Sequence, residues 1–131
     1  MNSFEYADEL WSLFTGNETL KDLLNIVDND DYSIKVRTED VMAEGYEVDK
    51  LPFIAVYFKE AMTTENDFMN QGYLCIDIYS AMRNDVAVIR KEIVDTLHEH
   101  FDERVRNEGQ EQSGVHAVYK YHLEFWPLIF T

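Results

Sequence analysis

Four histidines, one cysteine and 26 acidic side chains are the groups here that could bind a metal, attack a carbon or move a proton. Spacing removes most of that chemistry. His98 and His100 stand two apart in a helical stretch, so they point to different sides and cannot share one ion. His116 and His122 share a strand face, but six residues of strand hold them about 20 Å apart. No cysteine pair exists to build a zinc site. Taking Asp28 as the first position of a calcium loop puts Asp30 third and Glu39 twelfth, where such a loop needs carboxylates. The fifth position is Tyr32, which offers no short oxygen ligand, and the sixth is Ser33, where the sharp turn calls for glycine. An acidic turn that ends a helix is the expected element. Cys75, between Leu74 and Ile76, reads as a buried and inert thiol, since nothing local makes its setting electropositive. No nucleophile elbow, dinucleotide fingerprint or P-loop occurs. Asp102-Glu103 and Glu39-Asp40 read as solvated surface. Asp77 stands out because it interrupts an apolar strand, and a bridge to Arg or Lys, or an edge position, would account for it. No catalytic residue, cofactor or metal is assigned on these grounds.

Periodicity supplies the elements that must carry these groups. Phe4, Ala7, Leu10, Trp11 and Phe14 recur at three and four and predict an amphipathic helix over 3–14. Asn2 or Ser3 would cap it, and Gly16 would end it. Leu20, Leu23, Leu24 and Val27 predict a second helix over 18–27, with Asn17 as its cap. Ile34 and Val36 alternate with Lys35 and Arg37 as in a short, exposed strand, and 38–50 reads as a long loop. Phe53 to Lys59 is apolar on both faces, which predicts a strand that is central or covered twice. Tyr73 to Ser80 sets Leu74, Ile76 and Ile78 on one face, with Tyr73, Cys75, Asp77 and Tyr79 on the other. The polar stretch 60–71 would close these two strands into an antiparallel hairpin with an extended tip.

Val86, Ile89, Ile93, Leu97, Phe101 and Val105 form the strongest helical stripe, capped by Asn84 or Asp85 and about 30 Å long. Gly109 and Gly114 bracket a polar loop. From Val115 to Phe125 the pattern alternates cleanly, with Tyr119, Tyr121, Leu123 and Phe125 on a buried face. His116, Val118, Lys120, His122 and Glu124 fall on a wet face. Pro127 ends that strand and leaves Leu128-Ile129-Phe130 as an apolar terminus. The expected fold is a single α+β domain: a small, mostly antiparallel sheet with a long helix on one face and an N-terminal helical segment.

Composition narrows the function classes. The chain has 131 residues, 26 acids against 11 bases, a net charge of −15 and 46% hydrophobic residues. That is too apolar for a disordered chain, and no run is long enough to cross a membrane. No secretory signal is expected, and a lone cysteine fits a reducing cytoplasm. Binding to nucleic acid or anionic membrane needs a basic surface. Residues 1–49 hold 13 acids and 3 bases, so the strongest negative field belongs to the first third of the chain. It could repel DNA, draw in a basic partner, or simply keep the protein soluble. What remains are shapes suited to protein contact. Glu44 and Tyr46 lie in the 38–50 loop, and Thr64, Glu65, Asn66, Asp67 and Phe68 at the hairpin tip. Trp126 and Phe130 belong to a terminus that either folds back over the core or anchors an interface.

The order of these patterns resembles the tail-completion and tail-terminator proteins of long-tailed bacteriophages, including tail-to-head joining proteins. The likeness rests on the first amphipathic helix, the proline-led strand Leu51-Pro52-Phe53-Ile54-Ala55-Val56-Tyr57 and the strand Cys75-Ile76-Asp77-Ile78-Tyr79-Ser80. The helix from Val86 to Phe101 and the closing strand from Tyr119 to Trp126 complete it. It covers most of the chain and is architectural, with no motif that assigns contact residues. It implies a non-enzymatic virion part, made in the bacterial cytoplasm, that closes into a six-fold ring on the tail tube and meets the head connector. A negative lumen would let DNA pass without adhering. A rival class is an acidic inhibitor, immunity protein or DNA mimic aimed at a basic partner, which the charge would steer. An enzyme would need a constellation that the sequence does not offer.

Overall fold

The computed structural model describes residues 3–28, 32–38, 50–63, 69–114 and 117–130. Three helices come first: α1 (Ser3–Thr15), α2 (Glu18–Leu23) and the single turn α3 (Tyr32–Lys35). The strands β1 (Val36–Arg37), β2 (Phe53–Thr63) and β3 (Met69–Ser80) follow, then the long helix α4 (Arg83–Phe101). The strands β4 (Asn107–Gln112), β5 (Tyr119–Phe125) and β6 (Leu128–Phe130) close the chain. The sheet runs β1-β2-β3-β5-β4, with β6 also paired to β3. Among the described residues, only the β1–β2 pairing is parallel. The fold is therefore α+β, as the periodicities predict.

The main core lies between the helices and one face of the sheet. Tyr6, Leu10 and Phe14 of α1 and Ile89, Ile93 and Leu97 of α4 are buried against Ile54, Leu74, Ile76, Ile78, Leu123 and Phe125. Phe4 and Trp11, placed on the buried stripe of the first helix by spacing alone, face outward instead. Tyr6 takes the inward position and stacks on Phe101 of α4, with ring centroids 4.4 Å apart.

Several boundaries differ from expectation for physical reasons. The helix expected over 18–27 stops at Leu23. Asn25 takes a left-handed conformation at φ 57°, the Asn25 amide bonds to the Asp22 carbonyl, and the Ile26 amide bonds to the Lys21 carbonyl. This pair of bonds satisfies the last carbonyls and closes the helix. The residues read as a strand around Ile34 form a helical turn, and only Val36–Arg37 is extended. At the start of α4 the N-cap is Met82, without a side-chain cap bond, so Asn84 and Asp85 lie inside the helix. Asp102, left-handed at φ 54°, ends it, so Val105 falls beyond the stripe.

The hairpin strands run well into the stretch read as polar loop, with a register shift between Glu60 and Met62. Residues 107–112, read partly as loop between glycines, form the edge strand β4. An edge strand needs no apolar face, so Asn107-Glu108-Gly109-Gln110-Glu111-Gln112 shows no alternation to detect. β5 starts at Tyr119, and Ala117 before it adopts φ 62°. The terminus extends the sheet rather than folding over it. Phe125 pairs with Leu74 and Leu128 with Gln71, so β5 and β6 keep one unbroken register along β3. They are one strand interrupted where Pro127 has no amide to donate.

Candidate functional site

The second face of the sheet carries no helix among the described residues, and the cross-strand pairs place its side chains in rows. Asp77 is opposite Ala55 on one side and His122 on the other. Cys75 is opposite Tyr57 and Glu124. Tyr79 is opposite Phe53 and Lys120, and its ring stacks on Phe53 with centroids 4.8 Å apart. The face read as wet on the last long strand is therefore an interior one. His122 is buried, and Lys120 and Glu124 are half-buried.

A charged network fills this face. Asp77 is fully buried. Its Oδ1 lies 2.6 Å from His122 Nδ1, and its Oδ2 accepts a 2.7 Å hydrogen bond from the Tyr57 hydroxyl. Lys120 Nζ sits 3.8 Å from Asp77 Oδ2 and 3.6 Å from Glu111 Oε1. His122 Nε2 lies 3.3 Å from Glu124 Oε2, and Glu124 Oε1 accepts a 2.8 Å bond from Trp126 Nε1. The bridge expected at Asp77 exists, but its short partner is a histidine rather than an Arg or Lys.

The electrostatics follow from these contacts. The hydrogen bond to Asp77 raises the His122 pKa to about 10, helped by Cys75 and Glu124 and opposed by burial. Burial pushes the Asp77 carboxyl up, but hydrogen bonds from His122 and Tyr57, with the Lys120 charge, outweigh it and hold the group below its ordinary range. At neutral pH His122 is thus an imidazolium between carboxylates. Without a free lone pair it cannot serve as a general base. Cys75, His122 and Asp77 together have the residue types of a nucleophile, base and orienter. Cys75 is fully buried, however, and has no exposed face from which to attack. The arrangement supports an interior ion network that pins the β3–β5 register, since a one-residue slip would bury these charges unpaired.

Of the predicted contact residues, Trp126 and Phe130 are among those described. Glu44, Tyr46, Thr64, Glu65, Asn66, Asp67 and Phe68 lie outside the described residues, as do His116, Asp30 and Glu39. Phe130 pairs with Met69 in β6. Trp126 is exposed, and its ring lies 5.6 Å from Tyr73, the residue that the register sets opposite it. His98 and His100 are exposed on α4, where His100 pairs with Glu9 of α1 at 2.8 Å. Sequence reasoning did not name His122, Lys120 and Tyr57 as partners of Asp77, nor Glu124 as a partner of His122. The available signal was Lys120, His122 and Glu124 recurring every second residue, but only the register sets them opposite Tyr79, Asp77 and Cys75.

Two further surfaces could meet a partner. β1 pairs with β2 only at Ile54 and Ala55, so the outer edge of β2 from Val56 to Thr63 has no strand against it among the described residues. Beside that edge runs an apolar groove lined by Ala7, Trp11, Phe14, Val36, Val56 and Phe58. No helix among the described residues is long and apolar enough to cross a membrane. In comparisons with known proteins, the chain matches no family model and no curated protein.

Proposed function

We propose that this protein is a non-enzymatic assembly subunit of a long-tailed phage or prophage, of the tail-completion, tail-terminator or head–tail joining kind. It works by packing into a closed ring. The observation that carries this reading is the outer edge of β2, which beyond Ala55 has no strand against it among the described residues. From Val56 to Thr63 it runs about 23 Å at the usual rise per strand residue. A strand edge of that length without a neighbour is a template for another strand, and it borders an apolar groove. In a ring every subunit covers the edge of its neighbour through a heterologous contact that closes by rotation. The partners are further copies of the chain, the tail tube and the head connector. The net charge of −15 suits a conduit through which DNA passes without adhering.

The same charge favours a second reading, an acidic inhibitor or DNA mimic that occupies a basic protein. Light scattering across concentration, at low salt and at about 1 M salt, separates the two. The first reading expects a discrete ring of about six subunits, in solution or on added tail tubes, that persists in salt. A monomer at every concentration that ignores tail tubes and binds a basic protein only at low salt would overturn it.

A further inference from the structure

We propose that Cys75, His122 and Glu124 form a binding site for a zinc-class divalent transition metal on the sheet face away from the described helices. Asp77 holds the imidazole from behind. Cys75 Sγ, an imidazole nitrogen of His122 and a carboxylate oxygen of Glu124 all lie within 4.8 Å of one another. The sheet puts them there. Cys75 and Glu124 are direct partners on the β3–β5 ladder, and His122 is on the next rung along that face. His122 Nδ1 is committed to Asp77 at 2.6 Å, which leaves Nε2 as the ligating nitrogen. Nε2 is 3.3 Å from Glu124 Oε2, about the separation of two ligands of one tetrahedral zinc with bonds of about 2.0–2.2 Å. A carboxylate behind a ligating histidine is the usual outer support of such a site, because it fixes the ring and makes the free nitrogen more basic. Tyr57 in turn fixes Asp77.

A competing set, Asp77, Glu111 and His122, is also close enough to share an ion. Lys120 decides against it. Its ammonium stands 3.8 Å from Asp77 and 3.6 Å from Glu111, so a cation already occupies that side and would repel a metal. On the other side one sulfur, one nitrogen and one oxygen donor select zinc-class ions over calcium or magnesium, which take oxygen ligands. Binding displaces the thiol proton of Cys75 and the Nε2 proton of His122 to solvent, and water completes the fourth position. Access comes from β4, where Gly109 is opposite His122. A Cβ built on Gly109 would meet nothing within 4 Å among the described residues, so these leave the space beside the ring open.

The test is independent of the ring reading. Protein freed of metal by chelation is titrated with Co2+ and then Zn2+. Trp126 emission is followed in a Trp11→Phe background, because Trp126 donates to Glu124 and reports its ligation. We expect one ion per chain, a thiolate-to-cobalt charge-transfer absorption that Zn2+ abolishes, and a Tm raised by several degrees. Cys75→Ser should lose the absorption. Glu124→Gln should weaken binding at least tenfold with unchanged circular dichroism, which keeps the test valid should Cys75→Ser fail to fold. Asp77→Asn should weaken it about 10–100-fold, and Glu111→Gln should leave it unchanged. A spectrum without the thiolate band, or an affinity that depends on Glu111 and not on Glu124, would overturn the assignment.

Discussion

Asp77 Oδ1 and His122 Nδ1 are 2.6 Å apart on one rung of the β3–β5 ladder, both buried on the sheet face away from the helices. Neither charge would be stable there alone. Together, with Tyr57 on the other carboxylate oxygen and Glu124 on the other imidazole nitrogen, they form a compensated pair that fixes which residue of β5 meets which residue of β3.

The pair should give metal-free protein a two-sided pH dependence. His122 is raised to about 10, so its contribution is complete below its ordinary 6.5, declines above that and is gone past about 10. Asp77 is lowered, so its contribution is present above its ordinary 3.8 and is lost as pH falls further. Both are complete between about pH 4 and 6.5. NMR titration of the imidazole with chelator present should find His122 still protonated at about pH 8, and a midpoint near 6.5 would contradict the arrangement. Asp77→Asn should bring that midpoint down and cost about 1–3 kcal/mol at pH 6 in urea unfolding.

Glu108 should act in the acid limb alone. Arg90 donates to its two oxygens at 2.7 and 2.8 Å, and the Tyr121 hydroxyl donates at 2.6 Å. The Arg90 bonds come first in holding the Glu108 carboxyl below its ordinary range, ahead of an opposing burial effect, and Tyr121 adds to them. Its contribution is therefore present above about 4.5 and lost as pH falls through the lowered value. Because both partners are partly exposed, Glu108→Gln should cost only about 0.5–1 kcal/mol at pH 7. The gap between variant and parent should narrow as pH falls below 4.5 in acid-unfolding curves.

Asn17 should matter more than an ordinary cap. Its Oδ1 accepts from the Leu20 amide at 3.1 Å, which caps α2. Its Nδ2 donates to Glu92 Oε1 at 3.0 Å and Thr96 Oγ1 at 3.1 Å on α4. Asn17→Ala removes both functions and should cost about 2 kcal/mol. Asn17→Ser keeps a capping oxygen but cannot reach α4, and should cost about half as much. Equal losses in the two variants, measured by urea unfolding, would mean that the bridge to α4 contributes nothing.

Local order carries what the sequence by itself determined. A stripe such as Ile89, Ile93 and Leu97 needs no distant information to read as the buried face of a helix, and Leu74, Ile76 and Ile78 need none to read as one face of a strand. Asn17 as a cap is legible for the same reason, since its amide partner is three residues away. The tertiary structure alone decided the rest. Asn107 to Gln112 shows no pattern until β5 lies beside it, and Phe4 could not be told from Tyr6 until α4 supplied Phe101. Cys75 and Asp77 lie dozens of residues from His122 and Glu124, and only the strand register brings the two pairs to one face. A register is a choice among pairings that differ by whole residues, made by the summed packing of both strands, so no local pattern within either strand contains it.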